Sequence, residues 1–280
     1  LTFEDTSVVL PTYENITVPA NRQKEIDIFT DFETQHKTVD VIIGYMDETT
    51  DENDSQTLEM KYVSAAEKIE DGLIGYWSFD AFNSSHVFDS IRKNLNGDFQ
   101  GGAMVGDGVV QEGAILDGDS DYVEIPDNEV VTIKHNFSLS LWFKDEGTGY
   151  IRTLIKKNNE YWLRIYNTDS LYTYFFIDGN IHACRAPFAI SQDNLWHHVA
   201  MTLSHNGTHF IKKTYVDTVE EESMVCTTGS IWDTSSDFYI GNTGAPGQQA
   251  PLNGAIDEVM IFNRTLSSSE VDTLYSLGNP

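Results

Sequence analysis

Leu252-Asn253-Gly254-Ala255-Ile256-Asp257-Glu258-Val259-Met260-Ile261-Phe262-Asn263-Arg264-Thr265-Leu266 is followed by Ser267-Ser268-Ser269-Glu270-Val271-Asp272-Thr273-Leu274-Tyr275. Residues 256–262 are dense in β-branched and aromatic side chains, the composition of a strand buried on at least one face. Ser267 with Glu270 three places on forms a capping box, in which each side chain satisfies a backbone N–H that a helix leaves unpaired. Val271, Leu274 and Tyr275 then fall on one face of about two turns. The segment reads as a buried strand followed by a short amphipathic helix.

Working outward, composition bounds the rest. A length of 280 residues allows one large or two modest domains, and 40% apolar content with five Trp, thirteen Tyr and fifteen Phe suffices for a packed core. The chain has 44 acidic against 17 basic residues, a net charge of −27. A surface so negative repels a polyanion, which argues against nucleic-acid binding and against docking on anionic lipid. It suits solubility at high salt or outside the cell, or carboxylates that recruit cations. No run of eighteen apolar residues exists, so no membrane insertion is expected. No signal peptide is legible, and Leu1 is not a natural initiator, so the chain reads as processed or truncated.

Sequons of the form N-x-S/T stand at Asn15, Asn53, Asn83, Asn136, Asn206 and Asn263. Composition alone would give roughly three, so the excess suggests a glycosylated, exterior protein. Cys184 and Cys226 are too few for a disulfide framework. In an oxidising compartment a single bridge closing about 40 residues would stabilise the fold by about 4 kcal/mol. The alternative is two separate buried thiols.

Along the chain, short β patterns occupy residues 7–10, 16–18, 25–30, 38–46 and 57–63, several alternating at period two. Five such strands in about 60 residues suggest a small immunoglobulin-like sandwich over residues 1–70. The acidic stretch 47–54 reads as a solvated loop. Beyond a polar connection at 64–71, strand signals recur every 10–15 residues with one helix at the end, which suggests an antiparallel sandwich.

The motifs of that second part resemble the laminin-G-like jelly roll, a branch of the concanavalin A-like lectin/glucanase superfamily. The resemblance rests on Gly75-Tyr76-Trp77-Ser78-Phe79-Asp80, on Asp89-Ser90 through Asn94-Leu95-Asn96-Gly97, and on residues 113–125 with their hairpin. Phe137-Ser138-Leu139-Ser140-Leu141-Trp142-Phe143, Trp196-His197-His198-Val199-Ala200, Tyr215-Val216-Asp217 and the quoted closing strand complete it in order. It covers about 200 of the 280 residues and implies an all-β, two-sheet domain over residues 71–280. Thr218 stands where the family usually turns on Gly, which predicts a longer or distorted hairpin there.

In the resembling family the first and last strands are antiparallel neighbours. This implies a structural calcium site in which Asp89, Asn94 and Asn96 meet Asp257, because calcium takes six to eight oxygens in irregular geometry. The alternative is an Asx-rich turn whose side chains bond backbone N–H groups. Asp117, Asp119 and Asp121 imitate the start of an EF-hand loop, but Tyr122 and Asn128 stand where Gly and a bidentate carboxylate are needed, so they read as a turn. His197 and His198 would face opposite sides of a strand and cannot jointly chelate.

Concanavalin A-like folds also host glycosidases, which need two carboxylates about 5–10 Å apart. The nearest E-x-D-x-E match is Glu25-Ile26-Asp27, broken by Phe29, and adjacent Asp257 and Glu258 would point to opposite faces. No enzyme is expected. The hairpin 161–178 offers instead a binding face. With Asn167-Thr168-Asp169-Ser170 as the turn, Tyr166 would face Leu171, Arg164 Thr173 and Trp162 Phe175, leaving Tyr161, Leu163, Ile165, Tyr172, Tyr174 and Phe176 as core. Trp162, Arg164 and Tyr166 then mix aromatic planes with hydrogen-bonding groups, which suits a sugar's C–H patches and hydroxyls. The alternative packs them under a covering loop.

These readings predict a non-catalytic extracellular or cell-surface protein for recognition or adhesion, with a glycan or a cell-surface protein as partner. The second reading is a subunit of a surface filament or layer, self-assembled by strand pairing through segments such as residues 7–10.

Overall fold

The computed structural model describes residues 39–46, 53–60 and 69–278, apart from 92–94, 133–134, 148, 168–169, 191–192 and 245–248. At 39–46, 53–60, 181–183 and 186 it describes the backbone alone. The chain divides into two compact units, Leu1–Lys68 and Ile69–Pro280.

In the first unit an antiparallel hairpin pairs β1 (Val39–Met46) with β2 (Asn53–Met60). β2 starts inside the acidic stretch read as a loop, because Met46 pairs with Asn53 and Tyr45 with Asp54, so the ladder continues to the end of β1. The strands expected at 7–10, 16–18 and 25–30, and with them the immunoglobulin-like sandwich, lie outside the described residues.

The second unit holds two antiparallel sheets. Its strands are β3 (Leu73–Trp77), β4 (His86–Val87), β5 (Gly97–Gln100), β6 (Met104–Asp107), β7 (Glu112–Asp117) and β8 (Tyr122–Ile125). There follow β9 (Phe137–Asp145), β10 (Ile151–Lys157), β11 (Tyr161–Tyr166), β12 (Ser170–Ile177), β13 (Asn180–Ala189) and β14 (Trp196–His205). β15 (Phe210–Val216), β16 (Val219–Val225), β17 (Phe238–Ile240), β18 (Asn253–Phe262) and the helix α1 (Ser268–Gly278) complete it. One eight-stranded sheet runs β13-β12-β11-β10-β17-β8-β5-β4; the other runs β16-β15-β14-β9-β18-β7-β6, with β3 also paired to β18.

The two sheets face each other across one apolar core, to which strands of both contribute alternate residues: Leu139, Leu141 and Phe143 from β9, Tyr161, Leu163 and Ile165 from β11. The sheet that contains β18 and β3 has its outer face covered as well. Ala200, Tyr215, Met260 and Phe262 pack there with Leu266, Val271 and Leu274 around α1. The capping box holds: Glu270 Oε2 accepts from Ser267 N at 2.7 Å, and Ser267 Oγ from Glu270 N at 3.3 Å. The eight-stranded sheet has no helix on its outer side among the described residues.

At Thr218 the expected lengthening does not occur. Val216 pairs with Val219, so the turn is the two residues Asp217 (φ 46°) and Thr218 (φ 75°), and the distortion falls instead between Thr214 and Tyr215 in the strand. Positive φ at both positions is what a tight hairpin demands, even of a β-branched residue. Asp217 holds the turn, accepting from His198 N at 2.8 Å while its other oxygen lies 2.6 Å from His197 Nδ1.

Cys184 on β13 and Cys226 just after β16 form a disulfide with Cα atoms 4.8 Å apart, tying the edge of one sheet to the edge of the other. Both are buried, and 42 residues separate them. Replacing both with Ser is expected to lower stability by about 4 kcal/mol, since a loop of that length is freed in the unfolded chain. Urea denaturation of the oxidised parent and the double variant measures this; equal midpoints would contradict it.

Candidate functional site

The hairpin at 161–177 is built one residue out of the expected register. Tyr166 pairs with Ser170, Arg164 with Tyr172, and Trp162 with Tyr174, so the connection is the three residues 167–169. Asn167 enters it at φ 54°, a conformation Asn tolerates better than most residues. Because side chains alternate at period two, that single step exchanges the faces of β12. Leu171, Thr173 and Phe175 turn inward, and Tyr172, Tyr174 and Phe176 join Trp162, Arg164 and Tyr166 outside.

The result is a continuous aromatic surface. The Tyr172 and Tyr174 rings stack with centroids 5.9 Å apart, Trp162 meets Tyr174 edge-on at 5.8 Å, and Tyr166 meets Tyr172 at 4.7 Å. Phe176 and Tyr174 are buried in it, while Trp162, Tyr166 and Tyr172 stay half-buried. Two guanidinium groups lie on these rings: Arg164 at 3.9 Å from the Trp162 centroid, and Arg185 at 4.7 Å from that of Tyr172.

Register extends this surface across the whole sheet. Arg185 pairs with Tyr174, Tyr174 with Trp162, Trp162 with Lys156, and Lys156 with Tyr239. Tyr239 then pairs with Glu124, Glu124 with Asp98, and Asp98 with His86. At the usual strand spacing, this outward row of one residue per strand is about 34 Å long. Its neighbours along each strand, such as Ile155, Tyr161, Val123 and Phe238, point into the core.

The row is electrically divided. Burial, then the neighbouring Arg164, pulls the Lys156 ammonium down to about 8. Burial also lowers Arg164. At the far end burial, followed by Asp237 and Asp98, raises the Glu124 carboxyl. Between the ends, the face dips beside Lys156 and Tyr239 into a pocket of about 230 Å³ that also reaches Asn158, Asp237, Thr243 and Gly244. Lys156 Nζ donates to Thr243 O at 2.9 Å. Gly244, at φ 64°, lies so close to the Tyr239 ring that a side chain there would collide with it.

Trp162, Arg164 and Tyr166 are therefore together on the outer face, each partly exposed. Lys156, Tyr172, Tyr174, Arg185, Tyr239, Glu124 and Asp98 were not singled out in the sequence; each is one member of an alternating strand, and only the pairing of distant strands makes them a set. Asp98 and Glu124 are direct cross-strand neighbours on this face.

The implied calcium ligands are arranged differently. Asp89 Oδ1 accepts from Tyr76 N and Ile91 N, both at 3.2 Å, and Asn96 Oδ1 from Asp89 N at 3.2 Å. Asn94 lies outside the described residues. Asp257 does not turn to this loop: Oδ2 accepts from Val109 N at 2.9 Å and Val110 N at 3.1 Å, and Oδ1 from Glu258 N at 2.7 Å. The Asp89 contact with Ile91 N is that of an Asx turn, while the Asp257 oxygens accept from the separate turn at Val109 and Val110. Among the described residues no three His, Cys, Asp or Glu side chains group to hold a metal.

His197 and His198 face different surroundings: His197, bonded by Asp217 and Asp193, is raised to about 9, while buried His198 is lowered to about 4 and sits 2.8 Å from Ser140 Oγ. Asp117 and Asp121 cap their turn, accepting from Asp119 N and Asp117 N. The sequon residues Asn83, Asn136, Asn206 and Asn263 are exposed. Asn15 and the Asn53 side chain are not described.

With the fold and face in view, comparison with known proteins gives the class. A laminin-G family model, described as concanavalin A-like lectin/glucanases superfamily, matches residues 117–272. The chain belongs to this family. No curated protein matches it. Among solved structures it is similar to domain 4 of AbnA, a GH43 extracellular arabinanase from Geobacillus stearothermophilus, in complex with arabinotriose. The two are 23% identical with a TM-score of 0.55, over 72% of this chain and 98% of that one. It is similar too to the binding domain of Paraclostridial Mosquitocidal Protein 1 (16% identity, TM-score 0.58, 74% of this chain and 52% of that one). A structure of botulinum neurotoxin type C, whose cell entry depends on interaction with two ganglioside molecules, shares 16% identity. Its TM-score is 0.60, over 77% of this chain and 53% of that chain. The chain thus spans about half the length of the two toxin domains.

Asp257 and Glu258 are both raised to about 7, in each case chiefly by burial. A carboxyl raised above its unfolded value favours the protonated fold, so their contribution is full below about pH 4 and declines as pH rises through 7. Asp257→Asn is expected to cost about 2 kcal/mol, because an amide nitrogen cannot accept the N–H groups that Oδ2 accepts. It should also make the fall in stability between pH 4 and 7 shallower than in the parent. Urea midpoints of both proteins across that range test the two statements; parallel pH profiles would refute the second.

Proposed function

We propose that this chain is a non-catalytic carbohydrate-recognition module of a protein acting outside the cell, with the sugar laid across the outer face of the eight-stranded sheet. The observation that carries this is the aromatic surface of Trp162, Tyr166, Tyr172 and Tyr174, edged by Arg164, Arg185 and Lys156. Packed apolar side chains normally face inward, and a contiguous aromatic patch on an outer face marks a binding surface. Ring planes match the C–H faces of sugars, while the flanking donors match their hydroxyls.

The family's lectin membership supports the reading. So do the arabinotriose complex of the arabinanase domain and the ganglioside dependence of the neurotoxin. The extracellular arabinanase and the toxins, with the exposed sequons and the disulfide, support an exterior location. A cell-surface protein remains the other partner class, as in the neurotoxin binding domain solved with rat synaptotagmin II. The filament reading depended on residues 7–10, which lie outside the described residues, and no described feature favours it.

Catalysis is not part of the proposal. The two carboxyls raised to about 7, Asp257 and Glu258, are buried and engaged, Glu258 by the Tyr76 hydroxyl at 2.8 Å. Asp98 and Glu124 lie on the face, but three strand spacings, about 14 Å, separate Glu124 from Trp162. Asp98 is ion-paired with His86 at 3.1 Å and its side chain is 45% exposed, in water rather than in an enclosed site.

An oligosaccharide panel that includes arabinotriose is expected to yield a binder, and Trp162→Ala to weaken it tenfold or more, as removal of a central aromatic anchor does. Unchanged affinity in a variant with the parent's melting temperature would refute the site. No reducing sugar should be released from the bound oligosaccharide; release abolished by Glu124→Gln would show an enzyme instead.

A further inference from the structure

We propose that the sugar recognised on this face is acidic, carrying a carboxylate or sulfate held by Arg164 and Lys156 beside the Trp162 and Tyr174 rings. The inference rests on the carbohydrate-binding reading and adds the charge of the ligand to it.

Three observations carry it. The first is placement. In a chain with 17 basic and 44 acidic residues, a random position for a cation is beside a carboxylate, and the buried Lys157, Lys212 and Arg152 each have one. Lys156 and Arg164 do not: among the described residues Lys156 is bonded by the Thr243 carbonyl, and Arg164 lies over Trp162 and beside the Tyr166 and Tyr174 hydroxyls. Cations gathered without an anion repel one another and are costly to keep half out of water, so their grouping makes sense for an anion from outside.

The second is a set of unsatisfied groups. Eight buried side-chain atoms lack a hydrogen-bond partner among the described residues, and Thr153 Oγ1, Trp162 Nε1 and Arg164 Nε are three of them. Thr153 pairs with Arg164 across β10 and β11, and Trp162 is two residues before Arg164 on the same face. Buried polar groups are nearly always satisfied, so orphans clustered at one spot of an outer face point to a partner that the described residues do not supply.

The third is the polarity of the row. Glu124 and Asp98 make its opposite end negative, so an acidic chain gains at one end and is repelled at the other. That arrangement places the charged residue of the sugar at Arg164 rather than anywhere along the groove. Arg164, after burial, helps depress the Lys156 ammonium, and an anion set between the two offsets that repulsion.

Two matched pairs test this on the full chain: oligogalacturonate with its methyl-esterified form, and a sulfated galactan oligosaccharide with its desulfated form. The charged member of at least one pair is expected to bind about tenfold more tightly, the scale of one added charge-assisted hydrogen bond. The pair that shows the preference tells carboxylate from sulfate. Arg164→Gln should bring the ratio near one by weakening the charged member far more than the neutral one, and Trp162→Ala should weaken both members. Circular dichroism and melting temperature check that the variants fold; the paired comparison on the parent stands without them. Equal affinities within both pairs would overturn the inference and leave carbohydrate binding intact. Polyglutamate binding as tightly as the charged sugar would overturn it as well, since charge alone would then suffice. Failure of every sugar to bind would overturn both.

Discussion

The second unit depends on how β18 is held. Along one edge it pairs with β9; along the other it pairs first with β7, through Asn253 to Ile256, and then with β3, through Val259 to Phe262. At the junction the ladder with β9 slips between Asp257 and Met260, and Glu258 takes φ 52°. A bulge of this kind leaves Glu258 and Val259 outside the ladder with β9 and re-aims the side chains beside it. Asp257 uses the freedom to cap the turn between β6 and β7, and Glu258 to reach the Tyr76 hydroxyl on β3. One irregularity thus fastens both partners that share a single edge. The cost is two carboxyls desolvated against backbone N–H groups and a phenol, and their raised pKa is its measure.

From that strand outward, the two faces of the sandwich take different fates. The chain leaving β18 turns at Arg264, whose guanidinium is 2.7 Å from Glu270, and α1 folds back over the outside of the same sheet. Trp142, His198 and Tyr275 stack beneath it, with ring centroids 5.3 Å apart between Trp142 and each of the others. The helix is too short to be stable alone and gains its stability from that packing. It can cover only the sheet to which β18 belongs. The eight-stranded sheet therefore keeps an outer face of its own, and there the aromatic side chains have no helix to meet.

This asymmetry decides what could be read from the sequence. The closing strand, the capping box and the order of the jelly-roll motifs are local patterns, and local patterns survive translation into structure. The neighbour relation of first and last strands was also legible, through resemblance. The binding face was legible only in part. Trp162, Arg164 and Tyr166 share a strand, so period two alone groups them. Tyr172 and Tyr174 were assigned to the core because a four-residue turn was assumed where the chain makes a three-residue one, and Leu171, Thr173 and Phe175 look no more like core than the tyrosines do. Aromatic residues are apolar enough for either face, so composition could not arbitrate. Lys156, Arg185, Tyr239 and Glu124 come from four separate strands, and no spacing along the chain relates them. Asp257 shows the converse. Its position at the start of the last strand was foreseen, but its partner turn at 108–110 came from a pairing, β18 with β7, that no local motif announced.

The charge of the molecule sharpens the meaning of that face. A net charge of −27 sets up a negative field over most of the surface, and any anionic ligand must cross it. Cations scattered over such a surface would be neutralised by neighbours and would attract nothing. Here Lys157 is tied to Asp127, Lys212 to Glu222, Lys213 to Glu220 and Arg152 to Asp145. Those pairs take that positive charge out of play, and among the described residues Lys156 and Arg164 on the aromatic surface are the local exception. The exception also lies against rings that exclude water, where an ion pair is screened less than on an open surface. Selectivity then follows from contrast: the stronger the repulsion elsewhere on the surface, the fewer the places where an acidic ligand can rest.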